Sequence, residues 1–489
     1  MARLNQLGMV LLAVVAIVVR CYGLSHTLGY DEAWVANSLH APTLREMFFY
    51  DAWAQTTPPA FLLLARAMLI AGSSNLAMHL LAFAMGLTGV AVVTWIGWRE
   101  LSPSRGLWMG LLAALSGPQV AFAKEAKQYS GEFLVAALLL AFFLRLPKRL
   151  EVWGPPAALS AAFAFGPGML AFLPAALISR RPRWQTATVW ILATGAMAAL
   201  LGWAFYWPNR SPALFSFWGT CFPHPEDPSS YLRVASLNLK TIFVSNFREG
   251  LAAPWNWVLL LLAVPGILQS QRRGAALLAL TPIALALTAN FAGQYPLCEA
   301  RLSSFLFPCV LLLHGLGLDF RLPGWVGPMV LAGAMAAGLF SATRPELWPV
   351  RQSGSVEPAV AYLSTHMDQK ADVLFVHGNA QEEYKLYARL SRFAPADVII
   401  GQTGVGCCPR NLDAYRAYND DEFFRKEFEQ VLVRGTARRI WFLHLRQGEF
   451  GEVRQEEPEH RAMLATKGCR REQGREIRKA LLSAYRCPL

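Results

Sequence analysis

Long apolar runs separated by short polar stretches occupy the first two thirds of the chain. A bilayer core accommodates about 20 apolar residues in a helix. The runs that approach this length lie at residues 4–22, 75–98, 107–122, 131–146, 184–206, 254–271, 274–292, 300–318 and 324–342. Residues 154–179 are also apolar, but Gly166-Pro167-Gly168 interrupts them, which predicts two short helices that meet at this break. The pattern predicts an α-helical polytopic membrane protein with about 11 crossings.

Basic residues between the runs indicate which helix ends face the cytoplasm, because loops on that side carry an excess of Lys and Arg. The clusters are Arg3, Arg99 with Arg105, Lys148 with Arg149, Arg180 with Arg181 and Arg183, Arg272 with Arg273, and Arg321. Alternate crossing then places the N-terminus inside and four segments outside, at residues 24–74, 123–130, 207–254 and 293–301. The first run lacks a small-residue cleavage site, so we expect a membrane helix and not a signal peptide.

The polarity of the chain changes near residue 342. Residues 1–342 hold 13 of the 33 acidic side chains, and residues 343–489 hold the other 20. In this second part, strand-like runs at 373–377, 398–401 and 440–445 alternate with helix-like runs at 381–390, 421–432 and 476–483. We therefore predict a membrane domain, residues 1–342, and an extracytoplasmic, water-soluble α/β domain, residues 343–489.

Composition supports this division and excludes other classes of protein. The chain is 54% hydrophobic and 16% charged, with a mean hydropathy of +0.31, which is too apolar for a cytosolic enzyme, a disordered chain or a fibrous repeat. The net charge of +12 is explained by the cytoplasmic clusters, so we expect no nucleic-acid partner. Cysteines 221, 298, 407, 408, 469 and 487 are predicted to lie outside, where disulfides form, although their pairing cannot be deduced.

Two adjacent carboxylates, Asp31 and Glu32, follow the first helix. A carboxylate at a membrane interface is costly unless it is solvated or paired, so an acidic pair there suggests a function. A partly desolvated acid has a raised pKa and can act as a general base towards an incoming hydroxyl. The alternative is structural: Asp31 would be the N-cap of an interfacial helix, and Glu32 would interact with its dipole.

Polar residues 124–132 separate two apolar runs on the outer side, where lysines are unexpected. If this stretch is helical, Lys124, Lys127 and Gln128 share one face, which could neutralise a phosphate. Glu125 and Tyr129 then share another face with Glu132, and this face could hydrogen-bond a sugar or the lysines. The alternative is a solvated turn in which Glu125 pairs with a neighbouring Lys.

Further candidates precede two of the later helices. Tyr295 and Arg301 flank an outer turn, and a guanidinium can bind a phosphate bidentately. The alternative for Arg301 is snorkelling towards the lipid headgroups. His79 lies early in the second crossing, where packing or capping is the structural alternative. An acidic pair and several cations on one side of a membrane suit the transfer of a group from a lipid-linked phosphate.

Five short motifs, in this order and spacing, resemble the GT-C superfamily of membrane glycosyltransferases, in the branch of the protein O-mannosyltransferases and of the lipid A aminoarabinose transferase. The resemblance covers about residues 1–320. The motifs are Asp31-Glu32, Thr57-Pro58-Pro59 at the start of a predicted interfacial helix, residues 70–77 before the second crossing, Glu125-Ala126-Lys127-Gln128-Tyr129 after the third, and Tyr295-Pro296 with Arg301. The family usually has Arg where this chain has Lys127 and His79.

The resemblance implies transfer of one sugar, with inversion, from a polyprenyl-phosphate donor to an acceptor hydroxyl on the outer side of the membrane. Asp31 would be the general base, and Glu32 would support it or orient the acceptor. The donor phosphate would bind Lys124, Lys127 and Arg301, beside Tyr129. The remaining candidates for substrate binding are His79, Glu125, Gln128 and Tyr295.

The sequence leaves several properties open. The sugar could be a hexose, a pentose or an amino sugar, and the acceptor a protein, a lipid or a glycan. We expect no cofactor and no metal site, and the sequence does not determine whether a divalent metal is needed. The alternative function is a transporter or flippase, or a non-catalytic binder, of lipid-linked sugars. Transporters tend to carry ionisable residues at mid-membrane in repeated helices, and this pattern is not evident here.

Overall fold

The computed structural model describes residues 2–50, 56–72, 74–245, 272–318, 356–401, 421–435, 438–445, 456–477 and 480–488. Its α-helices, in chain order, are α1 (Ala2–Cys21), α2 (Tyr30–Leu39), α3 (Leu44–Phe48), α4 (Pro59–Met68), α5 (Asn75–Ile96), α6 (Pro103–Leu115), α7 (Gly117–Phe122), α8 (Tyr129–Leu144), α9 (Gly154–Phe163), α10 (Phe172–Arg180), α11 (Trp184–Leu201), α12 (Pro212–Phe217), α13 (Pro228–Phe243), α14 (Arg273–Phe291), α15 (Phe307–Gly317), α16 (Val356–His366), α17 (Gln381–Ser391), α18 (Asp421–Gly435) and α19 (Glu456–Thr466).

Shorter helical segments extend or link several of these helices. Gly97–Leu101 and Gly202–Tyr206 are π-helical continuations of α5 and α11. Segments of 3₁₀ helix form at Leu69–Ala71, Lys148–Leu150, Pro167–Ala171, Gly219–Cys221, Ala300–Leu306 and Gly378–Ala380. Ala300–Leu306 leads directly into α15, so the chain is helical from Ala300 to Gly317.

The predicted membrane runs coincide with helices wherever the structure describes them. Among the described residues, four helical stretches are long and apolar enough to cross a membrane: Asn75–Leu101, Trp184–Tyr206, Arg273–Phe291 and Ala300–Gly317. The predicted break at Gly166 is present, since α9 ends at Phe163 and α10 begins at Phe172. The runs at 254–271 and 324–342 lie outside the described residues. Thus the mostly helical, polytopic architecture is confirmed.

One predicted run, 107–122, is two helices and not one. Helix α6 ends at Leu115, and α7 begins at Gly117. Between them Ser116 has an extended backbone, and its hydroxyl accepts a hydrogen bond from the amide of Gln119, so it caps α7. Pro118 at the start of α7 reinforces the break because it lacks an amide donor for α6. The break leaves the last carbonyls of α6 available to other partners.

The chain divides into two compact units, which are not the two predicted halves. The first contains residues 1–25, 57–208 and 218–351, and the second contains residues 26–56, 209–217 and 352–489. The helical unit therefore lacks the start of the predicted outer loop, and the α/β unit includes it. The boundary near residue 342 stays a prediction, whereas the grouping of 26–56 with the C-terminal part was not expected.

Small residues bring the helices of the first unit close together. A Cβ atom at Gly89 would lie 2.5 Å from the ring of Phe133, so α5 and α8 meet closely at this point. A Cβ at Gly86 would lie 2.7 Å from the Cβ of Ala123, which brings α5 against the segment between α7 and α8. Such close approach is typical of membrane helix packing, where small residues give van der Waals contact without a solvent contribution.

The α/β unit contains a five-stranded sheet, β1 (Val373–Val376), β2 (Asp397–Ile400), β3 (Arg439–Leu445), β4 (Arg470–Ile477) and β5 (Ala480–Arg486). The strand order is β2-β1-β3-β5-β4. Strand β1 pairs in parallel with β2 and β3, with Val373 opposite Asp397 and Ile440, whereas β5 is antiparallel to both β3 and β4. The predicted mixture of strands and helices is present in this part of the chain.

The prediction of a helix at 476–483 is wrong, because these residues end β4 and begin β5. The strands form an antiparallel pair in which Arg470 faces Arg486. The next residues outwards, Cys469 and Cys487, form a disulfide that closes the open end of this pair. Strand β5 also pairs with β3 over its whole length, and this long-range pairing overrides a weak local helical preference.

A second disulfide joins Cys221 to Cys298 in the helical unit. Both cysteines are among those predicted to lie outside. The free cysteines of the described residues are Cys21 and Cys309, which the sequence placed at or in membrane helices. Cys407 and Cys408 lie outside the described residues.

Candidate functional site

The acidic pair lies in the first turn of α2, in the α/β unit. Helix α2 begins at Tyr30, so Gly29 is its N-cap and the prediction that Asp31 is the cap is wrong. Glu32 has the structural role: its Oε2 accepts a hydrogen bond of 3.1 Å from the amide of Gly29 and lies 3.5 Å from Nε2 of His26. Glu32 is buried and Asp31 is partly exposed. The pair therefore has one carboxylate engaged in capping and one that solvent can reach.

Both ends of α2 are bonded to α17 of the C-terminal part. Before α2, the amide of Leu28 donates to the hydroxyl of Tyr387 at 2.6 Å. Near the end of α2, Nδ2 of Asn37 donates to Oε2 of Glu382 at 2.9 Å. Sequence reasoning missed Glu382 and Tyr387, because α17 is more than 340 residues away and its pattern is that of an ordinary amphipathic helix.

The lysine-rich segment of the helical unit is a turn, neither helical nor solvated. Helix α7 ends at Phe122 and α8 begins at Tyr129, with two short backbone bonds between them, Lys124 N to Ala121 O at 2.9 Å and Lys127 N to Glu125 O at 2.7 Å. The polar side chains of this turn are all buried: Lys124 at 0%, Glu125 at 4%, Lys127 at 5% and Gln128 at 8% exposure. Both sequence interpretations of the segment are therefore corrected. The turn is a buried polar loop.

Lys124 occupies an unusual environment for a cation. Its ammonium lies 5.7 Å from the centre of the Tyr22 ring and makes no hydrogen bond within the part of the chain that the structure describes. Burial, together with the nearby charge of Arg20, lowers the pKa of Lys124 to about 8. A buried cation costs several kcal/mol unless it is paired, so this site favours an anionic ligand.

Arg20 is a buried cation near Lys124 that sequence reasoning missed. It is fully buried at the end of α1, and its guanidinium donates to the carbonyls of Ala113 at 3.1 Å and Ala114 at 3.0 Å. These carbonyls belong to the last turn of α6, where a cation is favourable because the helix dipole is negative there. The only sequence signal was an Arg at the end of an apolar run, and this position is typical of a residue that flanks a membrane helix.

Arg301 and Tyr295 lie in a segment that cross-links hold in place. Cys298 is tied to Cys221 by the disulfide, and its carbonyl accepts a bond of 3.1 Å from the hydroxyl of Thr241. The Tyr295 hydroxyl donates to the carbonyl of Leu302 at 2.9 Å. Arg301 is buried, with Glu299 at 2.6 Å and the ring of Trp218 at 5.1 Å. Burial inside the protein does not fit snorkelling.

A buried carboxyl group links the two cationic segments of the helical unit. The hydroxyl of Ser304 donates to Oε2 of Glu132 at 2.9 Å. Glu132 lies one turn after Tyr129 in α8, and Ser304 lies one 3₁₀ turn after Arg301. The bond therefore places the Lys127–Tyr129 segment beside the Arg301 segment. Sequence reasoning named Glu132 as a face-sharing residue only.

The predicted site residues thus fall into two sets. Asp31 and Glu32 belong to the α/β unit, and Lys124, Glu125, Lys127, Gln128, Tyr129, Tyr295, Arg301 and the buried His79 belong to the helical unit. Within the helical unit, the polar turn and the Arg301 segment are adjacent. Convergence of the acidic pair on these cations stays a prediction, as do the individual roles and the expectation that no metal is used.

This architecture is that of an integral membrane protein with a helical membrane unit and an α/β unit. Solved structures that it resembles include those of ArnT from Cupriavidus metallidurans, in the apo state and bound to undecaprenyl phosphate. The TM-score is 0.57 for each, over 97% of both chains, with 13% and 14% sequence identity respectively. The chain matches no protein-family model and no curated protein sequence. The predicted GT-C-like fold is confirmed.

Proposed function

We propose that this protein is a membrane glycosyltransferase that moves one sugar from a polyprenyl-phosphate donor to an acceptor hydroxyl, on the extracytoplasmic side of the membrane. The observation that carries the proposal is the buried, cation-rich turn at residues 124–127. In this turn the Lys124 ammonium has no hydrogen-bond acceptor in the described residues. The fold also resembles that of ArnT, which has been solved bound to undecaprenyl phosphate. A phosphate is the anion that would satisfy such a turn.

In the proposed reaction, the Asp31 carboxylate accepts the proton of the acceptor hydroxyl as its oxygen attacks the anomeric carbon. The bond between that carbon and the phosphate oxygen breaks, and the polyprenyl phosphate leaves with the bonding electron pair. Attack opposite the leaving group inverts the anomeric centre. Lys124, Lys127 and Arg301 stabilise the charge that develops on the phosphate.

Asp31 is the better candidate for the base, because Glu32 is already used to cap α2. We therefore expect Asp31→Asn to reduce turnover by about 10²–10⁴-fold, the contribution of a general base, while donor affinity is kept. The measurement is release of polyprenyl phosphate from a panel of lipid-linked sugars, with the protein in lipid discs and crude membrane extract as acceptor.

The matched control is Glu32→Gln, since a glutamine oxygen can still accept the bond from the Gly29 amide. We expect this variant to keep most of the turnover. Abolished turnover in Glu32→Gln with normal turnover in Asp31→Asn would transfer the role of the base to Glu32. Donor consumption by neither the wild type nor any variant would count against an enzyme and favour a transporter or a binder of lipid-linked sugars.

The proposed phosphate contacts have a separate test. Lys127→Ala and Arg301→Ala should each weaken binding of bare polyprenyl phosphate by about 10-fold or more, the loss expected when one charge-assisted hydrogen bond is removed. Arg233→Ala is a suitable control, because Arg233 is an exposed residue of α13. Unchanged affinity in both test variants would remove these two residues from the donor site.

A further inference from the structure

The first outer segment and the C-terminal part of the chain share a set of buried hydrogen bonds. We propose that α17 positions α2, and that Glu382 and Tyr387 are positioning residues for Asp31. This inference rests on the proposed function, because it gives the C-terminal part a role in the same reaction. All the residues concerned belong to the α/β unit.

Glu382 is the first anchor. Its side chain is fully buried, and its Oε2 accepts from Nδ2 of Asn37 at 2.9 Å and from the hydroxyl of Tyr50 at 3.0 Å. The same Asn37 nitrogen lies 2.9 Å from the carbonyl oxygen of Glu382. The other oxygen, Oε1, accepts from Nζ of Lys385 at 2.7 Å. One buried carboxylate thus ties the end of α2, and the segment that follows α3, to the first turn of α17.

Tyr387 is the second anchor and acts at the other end of α2. Its hydroxyl accepts from the amide of Leu28 at 2.6 Å. Leu28 directly precedes Gly29, whose own amide is bonded to Glu32. Burial raises the pKa of Tyr387 well above its usual range, so the hydroxyl stays protonated at any working pH. A continuous set of bonds therefore connects α17 to the first turn of α2, which carries Asp31.

Two anchors are needed because α2 is short. It has ten residues, and an isolated helix of this length is marginal in water. Leu28 directly precedes the N-cap of α2 and Asn37 lies in its last turn, so bonds at both points define the direction of the helix as well as its position. A general base misplaced by about 1 Å can lose a factor of about 10² in rate. Loss of either anchor should therefore affect turnover more than substrate affinity.

The test uses the full-length protein in lipid discs with three variants and one control. Tyr387→Phe removes the acceptor for Leu28 and keeps the ring, and Glu382→Ala removes the acceptor for Asn37 and Tyr50. We expect each to lower kcat by about 10–100-fold, with KM for the donor within about 3-fold of the wild type. Glu382→Gln still offers an oxygen to Asn37 and should restore most of the lost turnover.

The control is Lys385→Met, which removes the partly exposed ammonium bonded to Oε1 of Glu382 and leaves the bond between Oε2 and Asn37 in place. Its kcat should equal that of the wild type within about 2-fold, because Oε2 of Glu382 keeps its bonds to Asn37 and Tyr50. A loss in Lys385→Met equal to that in Glu382→Ala would mean that the C-terminal part is merely destabilised, and would overturn the proposal.

A second readout does not depend on activity. Hydrogen exchange of the amides at 31–39 should accelerate at least about 10-fold in Tyr387→Phe, while the amides of β1 keep their wild-type protection. Unchanged exchange in α2 would overturn the anchoring, whatever happens to turnover.

If Glu382→Ala unfolds the sheet, Tyr50→Phe takes its place in the test, because it removes a single bond to the same oxygen. If Tyr387→Phe accelerates exchange in α2 but the wild type consumes no donor, the anchoring is confirmed and the proposed function is contradicted.

Discussion

Two buried charged regions of the molecule, at Asp372 and at Lys124, differ in how their charges are satisfied. Asp372 in the α/β unit accepts bonds from the Arg439 guanidinium at 2.7 and 2.9 Å, and from the indole of Trp441 at 3.0 Å. Lys124 in the helical unit faces the ring of Tyr22 and the charge of Arg20, and its ammonium has no hydrogen-bond acceptor in the described residues. Both are charged groups withdrawn from water. Within the described residues, the Asp372 carboxylate is hydrogen-bonded, whereas the Lys124 ammonium is not.

The difference indicates what each region is for. A buried charge that is paired and hydrogen-bonded stabilises the fold around it, and removal of one partner is strongly destabilising. A buried cation without an acceptor costs stability, so it is expected where a ligand completes it. Gln119 supports this view, because it is buried at the start of α7 and neither polar atom of its side chain has a hydrogen-bond partner in the described residues.

The largest effect expected from this comparison is on stability. Asp372→Ala should lower the free energy of unfolding of the α/β unit by about 3 kcal/mol, because it leaves the Arg439 charge and the Trp441 indole without their acceptor. Hydrogen exchange of β1 and β3 measures this loss.

Arg434→Ala is the matched control for Asp372→Ala. Arg434 is 53% exposed and pairs with Asp397, and such surface pairs contribute about 1 kcal/mol or less. If both variants lower the free energy of unfolding equally, the bonds of Asp372 stabilise the fold no more than a surface ion pair does.

A smaller effect, of opposite kind, is expected at Lys124. Lys124→Met should leave stability unchanged or raise it, because it removes an unsatisfied buried charge and keeps an unbranched apolar stem. Binding of bare polyprenyl phosphate should weaken by about 10-fold, or about 1.4 kcal/mol. Calorimetric titration in lipid discs, together with thermal unfolding of the same samples, gives both quantities. A drop in stability comparable with that of Asp372→Ala would show that protein groups stabilise the Lys124 cation. The proposed difference between Lys124 and Asp372 would then be wrong.

The smallest effect is a pH dependence. Lys124 has a pKa lowered to about 8 by burial, so its cation is present below this pH and is lost as the pH rises through it. We expect kcat/KM, which reports the free enzyme, to fall about 10-fold per pH unit above this value. Lys124→Arg keeps its charge at any accessible pH and should abolish this decline. A decline that persists in Lys124→Arg would assign the titration to another group.

Much of the fold could be predicted from the sequence, whereas the roles of the candidate site residues stay predictions. Apolar runs correspond to helices wherever the structure describes them, since length and apolarity are properties of a local segment. The acidic pair and the lysines were recognised because charges beside apolar runs are expensive. The predicted helix at residues 476–483 is wrong, because pairing with β3 makes the end of this segment a strand. The helical and solvated interpretations of residues 124–128 are also wrong, because these residues form a turn that is buried in the helical unit.

The sequence by itself determined the membrane class and the positions of the apolar helices that the structure describes, because both depend on local hydrophobicity. Only the tertiary structure decided which of two neighbouring carboxylates caps α2, that Arg20 caps α6, and that α17 holds α2. These are contacts between segments up to 359 positions apart, as between Leu28 and Tyr387. No local pattern encodes such contacts, because they depend on how the whole chain packs.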